Sequence, residues 1–413
     1  MNKKIRLDIA IFALVAAVIV SILATTFIIN QKLRGITEVQ AAFAKIKYLE
    51  QLVDEHYIGS IDSEELVNDV AKGYVSGLGD TYAAYYTKEE YRAYQAQITG
   101  QYDGIGLTVV WKEKEGLEVT YIAKNSPAAS SGVAIGDIIT FVGDKSVLTL
   151  GYDDAVTALV GTAGTVANFT VKRGDQTLEY SVMRSQYEKE TVEYALYGSL
   201  GYVKLSGFNN QTADAFSAAI DALEQSNVKG YVMDLRNNPG GMIDAMVNCL
   251  DRLVGRGVVA TAVRKDDGTG SNKTVYEAVT AQEVSVPIAV LVDRNTASLG
   301  ELFAAVLKDF GKATLIGETT YGKGTGQTTY KLPDGSYLKI TDFTYYPPSG
   351  NSFHLIGLTP DTRITLTEAQ AATRYTMAKD KDPYILEAFT ELGGDSASLR
   401  EDYNTSTGEE GGL

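Results

Sequence analysis

Two short stretches, Asn295-Thr296-Ala297-Ser298-Leu299-Gly300-Glu301 and Gly322-Lys323-Gly324-Thr325-Gly326-Gln327, carry the most informative pattern of the chain. A serine hydroxyl is a weak nucleophile until a base removes its proton. Histidine, the usual base, occurs only twice in the chain. Because burial disfavours the charged form of lysine, a lysine among glycines and apolar strands can serve instead. The pattern predicts a hydrolase in which Ser298 is the nucleophile, Lys323 the base and Gln327 the group that orients the amine.

The serine also fits a purely structural role. Ser298 and Glu301 have the spacing of a capping box, in which each side chain caps the first turn of a helix. The two roles share a geometry, because a helix that begins after the serine presents the N–H of Leu299 and a positive dipole end to a developing oxyanion. We therefore expect Leu299 to donate one oxyanion bond.

A second glycine-rich segment, Asp234–Gly241, ends a buried strand and enters a helix. A plain proline-glycine turn would explain it. A functional interpretation uses the missing side chains, since a substrate carbonyl can approach glycine closely. The N–H of Gly240 or Gly241 is then expected to donate the second oxyanion bond.

Lys323 admits other interpretations. The spacing from Gly317 to Lys323 is close to that of a phosphate-binding loop, but Gly324 stands where Ser or Thr must hold magnesium. A hairpin, predicted over 327–332 and 337–343, follows instead of a helix. The nucleotide-binding hypothesis therefore fails, whereas a solvated turn lysine stays open. His354 is an alternative base for Ser298, although a surface or packing role is favoured. No sequence pattern around His56 indicates a function.

Taken together, Thr296–Glu301, Lys323 with Gln327, and Asp234–Gly241 resemble the carboxyl-terminal processing proteases, also called tail-specific proteases. The resemblance covers roughly residues 45–390. It implies an α/β fold with a crotonase/ClpP-like protease core, an inserted PDZ domain that is rich in β-strands and has two helices, and an N-terminal transmembrane helix. It also implies the roles of nucleophile, base and base-orienting group for Ser298, Lys323 and Gln327.

The PDZ part of the resemblance lies between Gly100 and Arg184, where short β runs alternate with turns. Strands are predicted over 106–111, 117–122, 138–142, 166–173 and 177–183, and helices over 128–132 and 153–160. Gly104-Ile105-Gly106-Leu107 would be the carboxylate loop, whose N–H groups hold the terminal carboxylate of a peptide that adds as a strand. The family often has an arginine immediately before Gly161. Val160 stands there in this chain, which puts arginine-dependent carboxylate sensing in doubt.

Beyond Tyr187 strands and helices alternate, which predicts an α/β core with a largely parallel sheet. Strands are expected over 201–205, 230–235, 287–292 and 313–316, and helices over 212–224, 242–253 and 299–308.

Composition excludes several functions. The net charge of −15 repels phosphate backbones, so nucleic-acid binding is not expected. The single cysteine, Cys249, excludes an internal disulfide and a cysteine-cluster metal site. No group of His, Cys and carboxylates has metal-ligand spacing, and we expect no metal and no cofactor.

The N-terminus predicts export. Ile9 to Ile29 is an uncharged run long enough to cross a bilayer, and Lys3, Lys4 and Arg6 precede it. An uncleaved, single-pass anchor is favoured over a cleaved signal peptide, because no clear small-residue cleavage site ends the run. Either case predicts that the catalytic domains are exported. The favoured anchor places them outside the cytoplasm at the cell membrane, in a single-pass protein.

The predicted organisation is a cytoplasmic N-terminus, a transmembrane anchor, a helical region, a PDZ domain, a protease core and a flexible acidic tail, over residues 1–8, 9–29, 30–95, 96–186, 187–392 and 393–413. We expect a membrane-anchored serine endopeptidase that cleaves exported proteins near their C-termini after PDZ recognition of the tail. Homo-oligomerisation stays open. The alternative is a proteolytically inactive, membrane-tethered peptide-binding module, which the presence of Ser298, Lys323 and Gln327 disfavours.

Overall fold

The computed structural model describes residues 7–266, 272–281 and 283–400. The chain divides into two compact units, the first ending at Asp69 and the second beginning at Val70. Residues 1–6 of the predicted cytoplasmic N-terminus and 401–413 of the predicted tail lie outside the described residues.

The helices of the described residues are, in chain order, α1 (Leu7–His56), α2 (Ser63–Ser76), α3 (Lys88–Thr99), α4 (Pro127–Ser131), α5 (Val147–Leu150), α6 (Tyr152–Leu159), α7 (Thr212–Gln225), α8 (Ile243–Asp251), α9 (Leu299–Asp309), α10 (Glu368–Ala372) and α11 (Pro383–Glu391). The strands are β1 (Ala84–Tyr86), β2 (Gln101–Gly104), β3 (Leu107–Lys112), β4 (Gly116–Ile122), β5 (Ile138–Val142), β6 (Lys145–Ser146), β7 (Val166–Arg173), β8 (Gln176–Met183), β9 (Ser185–Glu188), β10 (Val192–Tyr197), β11 (Leu200–Leu205), β12 (Gly230–Asp234), β13 (Gly257–Arg264), β14 (Lys273–Ala278), β15 (Ile288–Val292), β16 (Ala313–Gly317), β17 (Thr325–Lys331), β18 (Tyr337–Tyr346) and β19 (Thr362–Arg363).

The structure contradicts the predicted membrane anchor. The 50-residue helix α1 contains the whole predicted span, 9–29. Within the described part of the chain, however, no helix is both long and apolar enough to cross a bilayer. The prediction of an N-terminal transmembrane helix is therefore wrong.

One six-stranded sheet of the second unit is mostly parallel. Its strand order is β10-β11-β12-β15-β16-β19, with only the β10–β11 pair antiparallel. Every residue of β12 and β15 is buried, as expected for parallel strands that helices cover on both faces. Helices α7, α8 and α9 contribute to the main core cluster and α11 to the cluster that includes Tyr202 and Val232. The predicted α/β core is confirmed.

A second sheet completes the core. Its order is β1-β18-β13-β14, and β17 pairs with β18. The β17–β18 hairpin matches the hairpin predicted after Lys323. The short strand β1 comes from far upstream and pairs with the start of β18, with Ala84 opposite Lys339. The segment before β1 is thereby brought to the hairpin that follows Lys323.

A β-rich module interrupts this core. Its sheet has the order β3-β4-β5-β7-β8, with its own buried cluster, and β3 pairs with β4 alone among the described strands. The predicted strand over 138–142 and the one over 166–173 occur with those limits. Strands β2 and β9 pair antiparallel where the chain enters and leaves the module, with Gly104 opposite Ser185.

Candidate active site

Ser298 immediately precedes α9, in a backbone conformation that is rare for a residue with a side chain (φ 57°, ψ −121°). Such backbone strain costs about 1–3 kcal/mol and is concentrated at functional sites. The N–H of Ser298 donates to Glu301 Oε2 at 2.9 Å, which forms one half of the predicted capping box. The hydroxyl contacts Tyr345 instead, with 2.7 Å between the two oxygens. The strained backbone thus directs the serine oxygen into a cavity.

Tyr345 fixes the direction of the serine proton. Its hydroxyl donates to the carbonyl of Lys323 at 2.9 Å. A phenol has a single proton, so the Ser298 hydroxyl must be the donor toward Tyr345. Burial raises the pKa of Tyr345 well above its ordinary value, so this phenol stays protonated near neutrality. In this structure the Ser298 hydroxyl therefore donates its proton in a hydrogen bond to Tyr345. Among the described residues, no hydrogen bond joins Ser298 to the Lys323 amine.

Lys323 lies in the loop between β16 and β17. Its Nζ donates to Gln327 Oε1 at 3.0 Å and lies 4.2 Å from the ring centroid of Tyr82. Burial lowers the pKa of Lys323, the nearby cation of Lys339 lowers it further, and Asp80 opposes both. The amine is therefore easier to deprotonate than that of an ordinary lysine, as a general base near neutral pH requires.

A chain of hydrogen bonds fixes the orientation of Gln327. Its Nε2 donates to Thr341 Oγ1 at 3.1 Å, and that hydroxyl donates to Asp80 Oδ1 at 3.1 Å. Asp80 Oδ2 also accepts the N–H of Thr341 at 3.0 Å. Although burial raises the pKa of Asp80, hydrogen bonds from Tyr82, Thr341 and Ala83 outweigh it and leave the pKa lowered. An ionised carboxylate thus orients the amide so that its oxygen faces Lys323.

Glu301 connects the serine to the lysine. Its side chain is fully buried and accepts hydrogen bonds from the Thr320 hydroxyl and from the N–H groups of Gly322, Lys323 and Ser298. Burial raises the pKa of Glu301, and these hydrogen bonds oppose the rise. One carboxylate therefore positions the backbone of both proposed catalytic residues.

Two N–H groups are available for an oxyanion. A Cβ built on Gly240 would lie 2.9 Å from Leu299 N and 3.2 Å from Ser298 Oγ, so only glycine leaves room there. The N–H of Gly240 donates to Asn238 Oδ1 at 2.8 Å. Those of Gly241 and Leu299 donate to no acceptor among the described residues. This geometry favours Gly241 over Gly240 as the partner of Leu299.

The first half of the Asp234–Gly241 segment is structural. Arg236 forms ion pairs with Asp234 at 2.6 Å and with Asp382, at the start of α11, at 2.7 Å. Tyr202 donates to Asp234 at 2.8 Å, and all of these charged groups are buried. The cluster fastens α11 to the end of β12, and the residues of the segment that line the cavity are Pro239, Gly240 and Gly241.

His354 contacts the lysine loop, not the serine. Its Nδ1 accepts the N–H of Gly324 at 3.3 Å. Since Tyr345 holds the hydroxyl of Ser298, the structure does not bring the two halves of the alternative Ser–His pair together.

A cavity of about 770 Å³ brings the predicted site residues together. Its lining includes six of them: Ser298, Lys323, Gln327, Gly240, Gly241 and Leu299. The four carboxylate-loop residues, 104–107, do not line it. Four residues that contact the predicted site or orient its side chains were not predicted as site residues: Asp80, Tyr82, Thr341 and Tyr345. The turn Gly79-Asp80-Thr81-Tyr82 is visible in the sequence, but nothing local to it indicates a contact with a lysine so far downstream.

The predicted carboxylate loop lies at the start of β3. The N–H groups of Ile105 and Gly106 meet no acceptor among the described residues. Gly106 has φ 82°, and a Cβ there would overlap Ser126. Arg184 lies beside Gly161, but it donates to the carbonyls of Leu159, Ala158 and Val166 and to Thr165. Its guanidinium thus caps the end of α6 and does not replace the arginine absent at Val160.

Comparisons with known proteins identify the family of this chain. Residues 199–364 match the peptidase family S41 model and residues 95–171 the PDZ domain model. A probable CtpA-like serine protease of Staphylococcus haemolyticus is 31% identical over 376 residues, which cover 90% of this chain and 75% of that protein. The chain belongs to peptidase family S41. It is a serine-type peptidase that carries a PDZ domain, and its predicted resemblance to the carboxyl-terminal processing proteases is confirmed.

This S41 peptidase is also similar to a second staphylococcal protein and to a solved structure. A probable CtpA-like serine protease of Staphylococcus epidermidis is 31% identical over 353 residues, which cover 86% of this chain and 72% of that protein. Among solved structures, a photosystem II D1 C-terminal processing protease superposes with a TM-score of 0.48 at 26% identity and covers 86% of this chain and 92% of its own.

Proposed function

We propose that this peptidase is an endopeptidase with a Ser–Lys mechanism that cleaves proteins near their C-termini. The observation that carries the mechanism is the lysine amine, partly buried and held at 3.0 Å by Gln327, in the same cavity as the strained Ser298. In the attack, Ser298 Oγ bonds to the scissile carbonyl carbon while its proton passes to neutral Lys323. The ring of Tyr82 stabilises the ammonium that results.

The tetrahedral intermediate places its oxyanion against the N–H groups of Leu299 and Gly241. Lys323 then returns its proton to the leaving amine, and an acyl-enzyme remains on Ser298. Water attacks this ester while Lys323 again takes the proton. The bond from the carbonyl carbon to Ser298 Oγ then breaks, Lys323 returns the proton to Oγ, and the carboxylic acid product leaves. For the first step the Ser298 hydroxyl must leave Tyr345 and turn toward the lysine, so substrate binding has to break the 2.7 Å contact.

We assign tail capture to the PDZ domain. Strand β3 is open on one side among the described strands, and the N–H groups of Ile105 and Gly106 lie at its start. An extended peptide adds to such an edge through main-chain hydrogen bonds, with its terminal carboxylate in the loop Gly104–Leu107. Since the loop does not line the catalytic cavity, the domain would act mainly by raising the local concentration of substrate.

An extracytoplasmic location stays a prediction. It rests on the basic residues Lys3, Lys4 and Arg6 and on the apolar run that follows them in the sequence. Protease added to cells stripped of their outer layers should digest the catalytic region, and a region protected until lysis would contradict the prediction.

The mechanism is tested by cleavage of a protein with an unstructured, apolar C-terminal tail. Ser298→Ala and Lys323→Met should each lower turnover at least about 10³-fold. Gln327→Ala should retain part of the activity, because it orients the base without accepting the proton. Lys331→Met, at an exposed lysine of β17, is the matched control and should cleave normally. Turnover by Lys323→Met equal to that of the wild type would refute the assignment.

A second candidate is a peptide-binding module without turnover. The contact between Ser298 and Tyr345, with no bond from the serine to Lys323, favours it. A protein that binds tail peptides but cleaves none, under conditions where the fold is intact, would establish this alternative.

A further inference from the structure

We propose that Lys339 forms a subsite for a carboxylate of the substrate, in the same cavity as Ser298. The proposal rests on the proposed peptidase function and adds a chemical feature of the peptide that the cavity accepts. The carboxylate has two possible sources, the side chain of an acidic residue and the free C-terminus.

The charge of the cavity is the first observation. The whole chain carries −15. Within the described part of the chain, however, the cavity lining contains three lysines (Lys189, Lys323 and Lys339) and neither aspartate nor glutamate. A cleft of one sign with low-dielectric walls concentrates ligands of the opposite sign. In an acidic protein that otherwise repels anions, this cleft is a local exception.

The environment of Lys339 is the second observation. Its Nζ lies 4.5 Å from the ring centroid of Tyr94 and 5.4 Å from that of Tyr86. Among the described residues no carboxylate lies within ion-pair distance of it, whereas Lys308 and Lys312 are paired with Asp361 and Glu283. Two aromatic faces hold a cation in place without neutralising it. The ammonium is thus ordered and available to an anion.

The position of Lys339 along β18 is the third observation. Lys339, Phe343 and Tyr345 all line the cavity, and Tyr345 contacts the nucleophile. At about 3.3 Å per residue, Lys339 lies at most about 20 Å along the strand from Tyr345. An extended substrate that reaches from Ser298 to Lys339 would therefore place its carboxylate within about six residues of the scissile bond.

The test uses matched peptides in the full-length protein. One set has Glu or Gln at successive positions on either side of the scissile bond, and the other ends in a free acid or an amide. A charge-assisted contact predicts that the wild type prefers the carboxylate member about tenfold in kcat/KM, chiefly through KM. Lys339→Met should remove this preference. It also removes a cation that lowers the pKa of Lys323, so neutral peptides should be cleaved more slowly near neutral pH, and the readout is the ratio of kcat/KM between the two members of each pair. Lys331→Met should retain the preference, and Lys339→Arg should restore most of it.

The outcomes separate the subsite from the peptidase function. A wild type that cleaves both members of each pair equally would overturn the subsite and leave the function intact. A preference for the free acid that survives Lys339→Met would also overturn it, because the carboxylate would then be bound elsewhere, for example at 104–107. If the wild type cleaves none of the peptides, the proposed peptidase function itself is refuted. In that case binding of the same peptides to the Ser298→Ala protein still tests the subsite.

Discussion

Two loops beside Ser298 are held in opposite ways. The arginine loop, Asp234–Gly241, is fastened by charge, since Arg236 pairs with Asp234 and with Asp382. The lysine loop, Gly317–Gly324, is fastened by Glu301, a buried carboxylate that accepts four hydrogen bonds and has no cationic partner among the described residues.

The difference concerns what each loop must leave free. The arginine loop presents glycines and backbone N–H groups, and an ion pair behind it does not change their chemistry. The lysine loop presents an amine that must be able to lose its proton. An ion pair between Glu301 and Lys323 Nζ would raise the pKa of that amine, and the carboxylate instead binds the backbone of the loop. The loops show how buried charge can stabilise one part of a site without disturbing another.

Removing the charge from the arginine loop should have the largest effect on stability. Arg236→Met leaves Asp234 and Asp382 buried without their partner and should lower the free energy of unfolding by about 3–5 kcal/mol. Chemical denaturation measures the loss. The protein that remains folded should keep kcat within a few-fold, because the ion pairs lie behind the cavity. A stable variant that is catalytically inactive would contradict the division between the loops.

Altering the lysine loop should affect catalysis more than stability. Glu301→Gln keeps the shape but directs an NH₂ group at N–H donors, so Ser298 and Lys323 lose their fixed relation. We expect kcat to fall about 10- to 100-fold and the free energy of unfolding to fall by about 1–3 kcal/mol. Glu277→Gln, at an exposed glutamate of β14, is the control. A kcat of Glu301→Gln equal to that of the wild type would show that the hydrogen bonds accepted by the Glu301 carboxylate are not needed for catalysis.

The pH dependence of stability should differ in sign between the two carboxylates. Burial raises the pKa of Asp234, but the Arg236 guanidinium more than offsets this, so its pKa is lowered on folding. Its stabilisation is complete above the ordinary Asp pKa of about 3.9 and is lost as the pH falls through the folded value. Burial leaves the pKa of Glu301 raised. Its ionised form is destabilising, and that cost is relieved as the pH falls toward about 4.3.

Chemical denaturation of the wild type and of Glu301→Gln between pH 7 and about pH 4.3 measures how the contribution of Glu301 to stability changes with pH. The stability of the wild type relative to Glu301→Gln should increase as the pH falls. A relative stability that decreases would show that Glu301 is stabilised in its charged form.

The smallest expected effect concerns the hydrogen-bond chain behind Gln327. Thr341→Val removes the hydroxyl between Gln327 and Asp80 and frees the amide to turn. We expect kcat to fall about three- to tenfold, since one neutral hydrogen bond contributes about 1 kcal/mol. Thr344→Val, on the same strand, is the control. If Thr341→Val has the kcat and the pH–rate profile of the wild type, Asp80 does not help to orient the base.

The sequence was most informative where chemistry is local. Ser298 at a strand-to-helix junction, and Lys323 four positions before Gln327, are short-range patterns, and the structure places all three beside one cavity. The long apolar strands β12 and β15 were likewise predicted, because full burial produces a continuous hydrophobic run. The catalytic roles of the three residues stay predictions until they are tested.

Other features depend on contacts that no local pattern encodes. Asp80 reaches Thr341 across 261 positions of sequence, and Tyr345 meets Ser298 only when β18 pairs with its neighbours. Arg236 lies in a motif predicted for its oxyanion glycines, yet it serves an ion cluster with α11. The anchor prediction was wrong because an apolar run was equated with a membrane span.

The paired strands β2 and β9 have a consequence for how the molecule is assembled. Their register places Gly104 opposite Ser185, and partners in an antiparallel pair lie about 5 Å apart. The PDZ domain therefore leaves and re-enters the peptidase core through a gap that a two-residue turn can bridge. The two ends of the inserted domain lie so close together that the core on either side can pack as if a short turn joined them. The candidate site of that core uses Asp80 from before the insertion and Ser298 from after it. The two modules are thus joined covalently through a single two-stranded neck, formed by β2 and β9.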